Sequence, residues 1–173
     1  MLRMFMFVLA FVTFGIANAE AKDIKVGIIL GFTGPIESLT PDMAAGAELA
    51  FAEASDSGAL LGGSTISVSR ADSTCIDSAA ATTAAEGLVS EGVTAIVGAD
   101  CSGVTGAVLA NVAVPKGVPM ISPSATSPAL TTAEDNGLFF RTAPSDARGG
   151  EVLADITADT VSYTHLTLPT SPK

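Results

Sequence analysis

The sequence predicts an α/β fold with a doubly wound, mostly parallel sheet. Three observations carry this expectation. Short apolar runs recur at residues 24–30, 94–97 and 118–121, each bounded by turn residues, as in strands buried on both faces. Between them apolar residues repeat at helical rather than alternating spacing. Apolar residues make up 48% of the 173-residue chain and charged residues 15%, a composition that supports a core and argues against wholesale disorder. Strands alternating with helices at this spacing give parallel pairing.

The elements follow in order. Ile24-Lys25-Val26-Gly27-Ile28-Ile29-Leu30 is the first strand, and Gly31-Phe32-Thr33-Gly34-Pro35 begins the loop after it. Thr40 and Pro41 read as the N-cap and first position of a helix. Met43, Ala47, Ala50, Phe51 and Ala54 continue it to about Ser55. Gly58 and Gly62-Gly63 break the chain, and Thr65 to Ala71 alternates as a second strand. Asp77 or Ser78 caps a second helix with Ala81, Ala84, Ala85 and Leu88 on one face and Gly92 as its stop. Thr94 to Val97 is a third strand. Ser102 opens a third helix, with Val104, Val108 and Val112 on its apolar side and Gly117 beyond. Val118 to Ile121 is a fourth strand despite Pro119. Leu138 to Arg141 makes a fifth, and Ser145 or Asp146 caps a last helix toward Thr160.

Both ends read differently from this middle. Met1-Leu2-Arg3 is a short positive region, Met4 to Ile16 is uncharged and carries four of the eight Phe, and Ala17-Asn18-Ala19 is an A-x-A cleavage pattern. Residues 1–19 are therefore expected to be a secretory signal peptide. A run of 13 residues is short for a membrane span. After Thr160, the segment Val161 to Thr170 holds the only Tyr and the only His, and resembles one reading frame of a sequencing adapter. Residues 161–173 are accordingly set aside from the fold.

Glu20 to Thr160 carries all 18 acidic and six of the eight basic residues, a net charge of −12. Nucleic-acid binding is not expected, because phosphates call for Lys/Arg clusters. One His and two Cys cannot close a zinc site by themselves. No metal or cofactor is expected.

Ligands of open parallel sheets bind beyond the carboxyl ends of the strands. That rule selects three loops, Gly31–Thr40, Gly98–Ser102 and Ser122–Thr126. The last, Ser122-Pro123-Ser124-Ala125-Thr126-Ser127-Pro128, is dense in hydroxyls and small side chains. Such a loop can hold a carboxylate or a zwitterion with backbone N–H and hydroxyl groups alone. Plain capping by Ser127 before Pro128 is the competing reading. Ser102 can donate to a ligand carboxylate at a helix start or simply cap that helix. As a nucleophile it fails on two counts. Asp100-Cys101-Ser102-Gly103 is not a G-x-S-x-G elbow, and Glu20 to Thr160 contains no His to act as base. Gly31-Phe32-Thr33-Gly34 is neither a dinucleotide fingerprint nor a P-loop. Cys75 and Cys101 each follow a strand at the same end of the sheet, and in an exported protein a pair so placed is expected to form a disulfide.

The combination of Cys75, Ile96-Val97-Gly98, Cys101-Ser102, Ile121-Ser122-Pro123-Ser124-Ala125-Thr126 and Phe140-Arg141-Thr142 resembles the type I periplasmic binding proteins. The nearest branch is the branched-chain amino acid and amide receptors of ABC importers. The resemblance extends from Ile24 to about Thr160. It implies the N-terminal lobe of a two-lobed receptor, spanning residues 20–144, with residues 145–160 forming the hinge crossing and the first helix of a second lobe that is missing here. It implies that Ser102, Ser124, Ala125 and Thr126 bind the ligand, that Cys75 pairs with Cys101, and that Ile36 to Ser38 faces the ligand from the first loop. It implies a monomeric, leucine-binding type of receptor in the periplasm, passing an amino acid or amide to an ABC permease in the inner membrane, and no enzymatic activity. A sensory domain of the same fold and an exported serine hydrolase using Ser102 are the alternatives.

Overall fold

The computed structural model describes residues 22–160. The expected signal peptide at 1–19 and the adapter-like segment at 161–173 lie outside the described residues. Five strands form one all-parallel sheet in the order β2-β1-β3-β4-β5. They are β1 Asp23–Leu30, β2 Thr65–Asp72, β3 Ala95–Gly98, β4 Met120–Ser122 and β5 Phe139–Arg141. The helices are α1 Thr40–Asp56, α2 Ser78–Ser90, α3 Ser102–Val108, α4 Val114–Lys116 and α5 Asp146–Thr160. A π-helical segment, Leu109–Ala113, joins α3 to α4. The expected doubly wound α/β lobe is therefore observed.

Period-two alternation sends neighbouring strand residues to opposite faces. Ile28 and Leu30 pack with Ala44, Met43, Ala47 and Phe51 of α1. Ile29, Ile96 and Met120 pack with Ala81, Ala85 and Leu88 of α2 and with Val104 and Val108 of α3. Gly27 leaves room for Leu88, since a Cβ there would stand 2.8 Å from Leu88 Cδ1. Gly98 is required more strictly. Its φ is +125°, and a Cβ would fall 1.9 Å from the carbonyl oxygen of Ile29 on the adjoining strand.

Local signals explain most boundaries. Asp77 caps α2, accepting from the N–H groups of Ala79 and Ala80. Pro41 stands in the first turn of α1, but Thr40 is the first helical residue rather than its cap. Its buried hydroxyl donates instead to the carbonyl of Gly31 at 3.0 Å, tying the helix start to the end of β1. Likewise Cys101, not Ser102, occupies the cap position of α3. In both cases a tertiary partner took the hydroxyl that local capping would have used.

Candidate functional site at the carboxyl end of the sheet

For a sheet of this order the strand direction of winding reverses between β1 and β3, and the crevice opens at that point. The loops after β1, β2, β3 and β4 meet there. Thr40, Ser73, Asp100, Thr105 and Ser122, five of the six buried polar residues among those described, gather at this end. Thr105 donates to the carbonyls of Ala99 and Cys101 at 3.0 and 2.8 Å. Ser122 donates to the carbonyl of Ala99 and accepts from the N–H of Ala125. Each buried hydroxyl thus has a partner, as burial requires.

Asp100 is the centre of this network. It is only 2% exposed. Its Oδ2 accepts from the N–H of Gly31 at 2.7 Å. Its Oδ1 accepts from the Ser73 hydroxyl at 3.2 Å and from the Cys101 N–H at 2.9 Å. Sequence reasoning passed over it as part of the Asp100-Cys101-Ser102-Gly103 stretch. Its partners lie 69 and 27 residues away, so no local pattern could have disclosed it.

The four candidate ligand residues stand on neighbouring loops. Ser102 Oγ accepts from the N–H groups of Thr126 and Ser127, both at 3.1 Å. Two accepted bonds use the hydroxyl's lone pairs and leave its proton to donate. Ser124 donates to the Asp100 carbonyl at 3.0 Å. Ala125 is buried, with its N–H on Ser122. Thr126 reaches across to the start of α5. Its hydroxyl donates to Asp146 Oδ2 at 3.0 Å, and the Asp146 N–H returns a bond to the Thr126 carbonyl at 2.9 Å. Asp146 was expected only as a helix cap, so its carboxylate is an addition to the site. Ser127 also caps the 3₁₀ turn Pro128–Thr131, accepting from the Ala129 N–H. Capping and site geometry therefore coexist in one loop.

Charge around this loop is ordered. The Arg141 guanidinium sits behind it, donating to the Ala125 and Ser127 carbonyls at 3.4 and 2.9 Å and to the Thr131 hydroxyl. Asp146 stands on the Thr126 side. The loop thus lies between a cation and a carboxylate, and the proton of the Ser102 hydroxyl is left to donate.

The first loop is anchored from β2. The Thr33 hydroxyl donates to Asp72 Oδ2 at 2.5 Å and the Thr74 N–H to Oδ1 at 2.8 Å. Burial pushes the Asp72 carboxyl up, but these bonds and those from the Thr33 and Phe32 N–H groups outweigh it and hold the group below its ordinary value. Ile36 is half-buried and Glu37 and Ser38 are exposed, so the structure does not single out one ligand-facing side chain there. Cys75 and Cys101 are joined as a disulfide with a Cα–Cα distance of 5.2 Å, tying the loop after β2 to the residue before Ser102. Thr74 and Cys75 both have positive φ, a strained pair of the kind that collects at functional loops. Among the described residues no group of three or more His, Cys, Asp or Glu is arranged to hold a metal, and no helix is long and apolar enough to cross a membrane.

Comparisons with known proteins bear on the family and the fold. The chain is 32% identical over 145 residues to the Leu/Ile/Val-binding protein homolog 3 of Brucella melitensis, covering 83% of this chain and 38% of that one. It is 32% identical over 136 residues to the Leu/Ile/Val-binding protein of Citrobacter freundii, covering 79% and 36%. Its fold matches the branched-chain amino acid transporter substrate-binding protein of Streptococcus pneumoniae, solved with isoleucine, at a TM-score of 0.70 and 32% identity over 80% of this chain and 38% of that one. It also matches a solute-binding protein of Rhodopseudomonas palustris solved with benzoate, at 0.67 and 28%, over 79% and 37%. The chain thus spans less than two-fifths of the length of these relatives. A family model described as periplasmic binding protein matches residues 23–166, and the chain belongs to that family of solute-binding proteins.

Proposed function

We propose that this lobe carries half of the ligand site of an ABC importer's substrate-binding protein, and that the ligand is a branched-chain or related amino acid or amide. The observation that carries this reading is the Ser102 hydroxyl, which accepts two loop amide bonds and retains its proton for a ligand carboxylate. Ser124, Ala125 and Thr126 would line the carboxylate subsite, their own donors holding the loop in place and the Arg141 charge standing behind it. Asp146, bonded to Thr126, would take the ligand ammonium. The whole protein on this reading is a monomeric two-lobed receptor, exported to the periplasm by residues 1–19, which delivers its ligand to a membrane permease. Residues 20–144 form the first lobe and residues 145–160 the crossing and first helix of the second. The exposure of α5 along nearly its whole length supports a partner outside this lobe.

Solution NMR of the chain tests the reading. Millimolar isoleucine should shift the amide signals of Ser102, Thr126 and Ser127, and benzoate, lacking an ammonium, should shift them far less. Thr126→Ala should weaken the isoleucine response by about 1–3 kcal/mol, or roughly 5- to 150-fold, the cost of one lost polar partner. Equal responses to the two ligands, or an unchanged response in Thr126→Ala, would remove this site assignment.

A further inference from the structure

We propose that Asp100 is a positioning residue, whose buried carboxylate sets the spacing of the loops that form the candidate site. Three donors from three different parts of the chain converge on its two oxygens: the Gly31 N–H after β1, the Ser73 hydroxyl after β2 and the Cys101 N–H at the start of α3. The same residue's carbonyl receives the Ser124 hydroxyl of the loop after β4. Thr40 extends the network by donating to the Gly31 carbonyl, so a continuous polar path runs from the first turn of α1 to Ser124. Burying a carboxylate costs free energy unless hydrogen bonds replace its water. Here three neutral donors do so, and three loop ends are held in return. Local loop geometry accounts for the Cys101 bond alone, because Gly31 and Ser73 belong to other loops. The contact between loops is close: a Cβ on Gly31 would stand 3.3 Å from Asp100 Oδ2 and 3.2 Å from Cys75 Cβ.

Asp100 does not touch the proposed ligand. It acts through Cys101, which precedes Ser102, and through Ser124, so the binding part of this inference rests on the function proposed above. Its loop-spacing part does not, and amide NMR of the ligand-free chain tests that part directly. In Asp100→Ala the Gly31 and Cys101 amides should lose their protection from hydrogen exchange, and the Thr126 and Ser127 amides should shift with them. Thr94, whose N–H bonds the Lys25 carbonyl at the other end of the sheet, should keep its position. Asp100→Asn has the same shape but one acceptor oxygen, its NH2 replacing the other. Either the Gly31 amide or the Cys101 amide should keep its protection and the other lose it, and this is the variant to read if Asp100→Ala does not fold. Thr126 and Ser127 amides unmoved in the folded variant, with the Gly31 signal altered, would overturn the proposal. With isoleucine present, Asp100→Ala should weaken the response by about tenfold or more, the equivalent of one charge-assisted bond, and Asp100→Asn should recover part of it. Absence of any isoleucine response in the unsubstituted chain would count against the ligand reading alone, since the ligand-free comparison still decides the role of Asp100.

Discussion

On the α2/α3 face of the sheet Met120 is 1% exposed, whereas its neighbour Ile121, turned to the α1 face, is 39% exposed and Phe140 beside it is 56% exposed. Both faces carry apolar side chains, but the described residues cover them unequally. Three helical segments and the π-helical stretch close one face over Ile29, Ile96 and Met120. On the other, α1 covers Ile28 and Leu30 and leaves an apolar groove of about 290 Å³ lined by Val26, Phe51, Val97, Ile121 and Phe140. Burial, not apolar composition, carries the hydrophobic stabilisation. The closed face therefore supplies most of the lobe's cohesion, and it also carries α3, whose first residue is Ser102.

The largest effect is expected where the strands themselves touch. Gly98→Ala places a Cβ against the Ile29 carbonyl at a φ that disfavours any side chain. It should destabilise the chain by more than about 4 kcal/mol, the range of exceptional single substitutions, read as loss of a cooperative urea transition by circular dichroism. A near-normal midpoint would mean that β1 and β3 can separate without cost, and the closed face would lose its central seam.

Leu88→Ala probes the same face by packing instead of by clash. Leu88 is buried against Gly27, which has no side chain to refill the space. A loss of about 2–5 kcal/mol in urea unfolding is expected. The disulfide separates the loops from the faces. Cys75 and Cys101 are 26 residues apart, and opening that loop in a double Cys→Ser variant should cost about 3.5 kcal/mol in the chain-entropy account. If the double variant instead loses nothing while Leu88→Ala keeps its full cost, loop bonds such as those of Asp100 suffice to hold the site end together.

Much of this was legible in the sequence, for identifiable reasons. Strand runs such as Ile28-Ile29-Leu30 and the cap at Asp77 are local signals, and the structure follows them closely. The carboxyl-end rule depends only on element order, so the three loops it selects could be named from the sequence, and the structure brings them together at that end. Contacts that depend on distant partners were not legible. Thr40 and Ser102 each look like helix caps, yet Thr40 bonds back to Gly31 at the end of β1, 9 residues earlier, and Ser102 holds a loop 24 residues on. Asp146 reads as a helix start until its bond to Thr126 is seen, and Asp100 reads as loop filler until Gly31 and Ser73 are found on it. Hydrophobic alternation likewise marks Phe139 and Phe140 as a strand pair but does not say which face will be covered.

That last distinction yields the smallest expected effect. Phe140 and Phe139 differ only in the face they present, and Phe139 packs against the closed-face cluster. Phe140→Ser removes a large apolar side chain that is already mostly in water, so its effect on the chain's stability should stay within about 0.5 kcal/mol, as for other surface substitutions. Phe139→Ser should cost several times more, because it withdraws apolar contacts from a packed layer. Paired urea titrations read both. If Phe140→Ser were to match Phe139→Ser, the α1 face would have to be covered in solution, and the contrast between the two faces would belong to the described residues alone rather than to the protein.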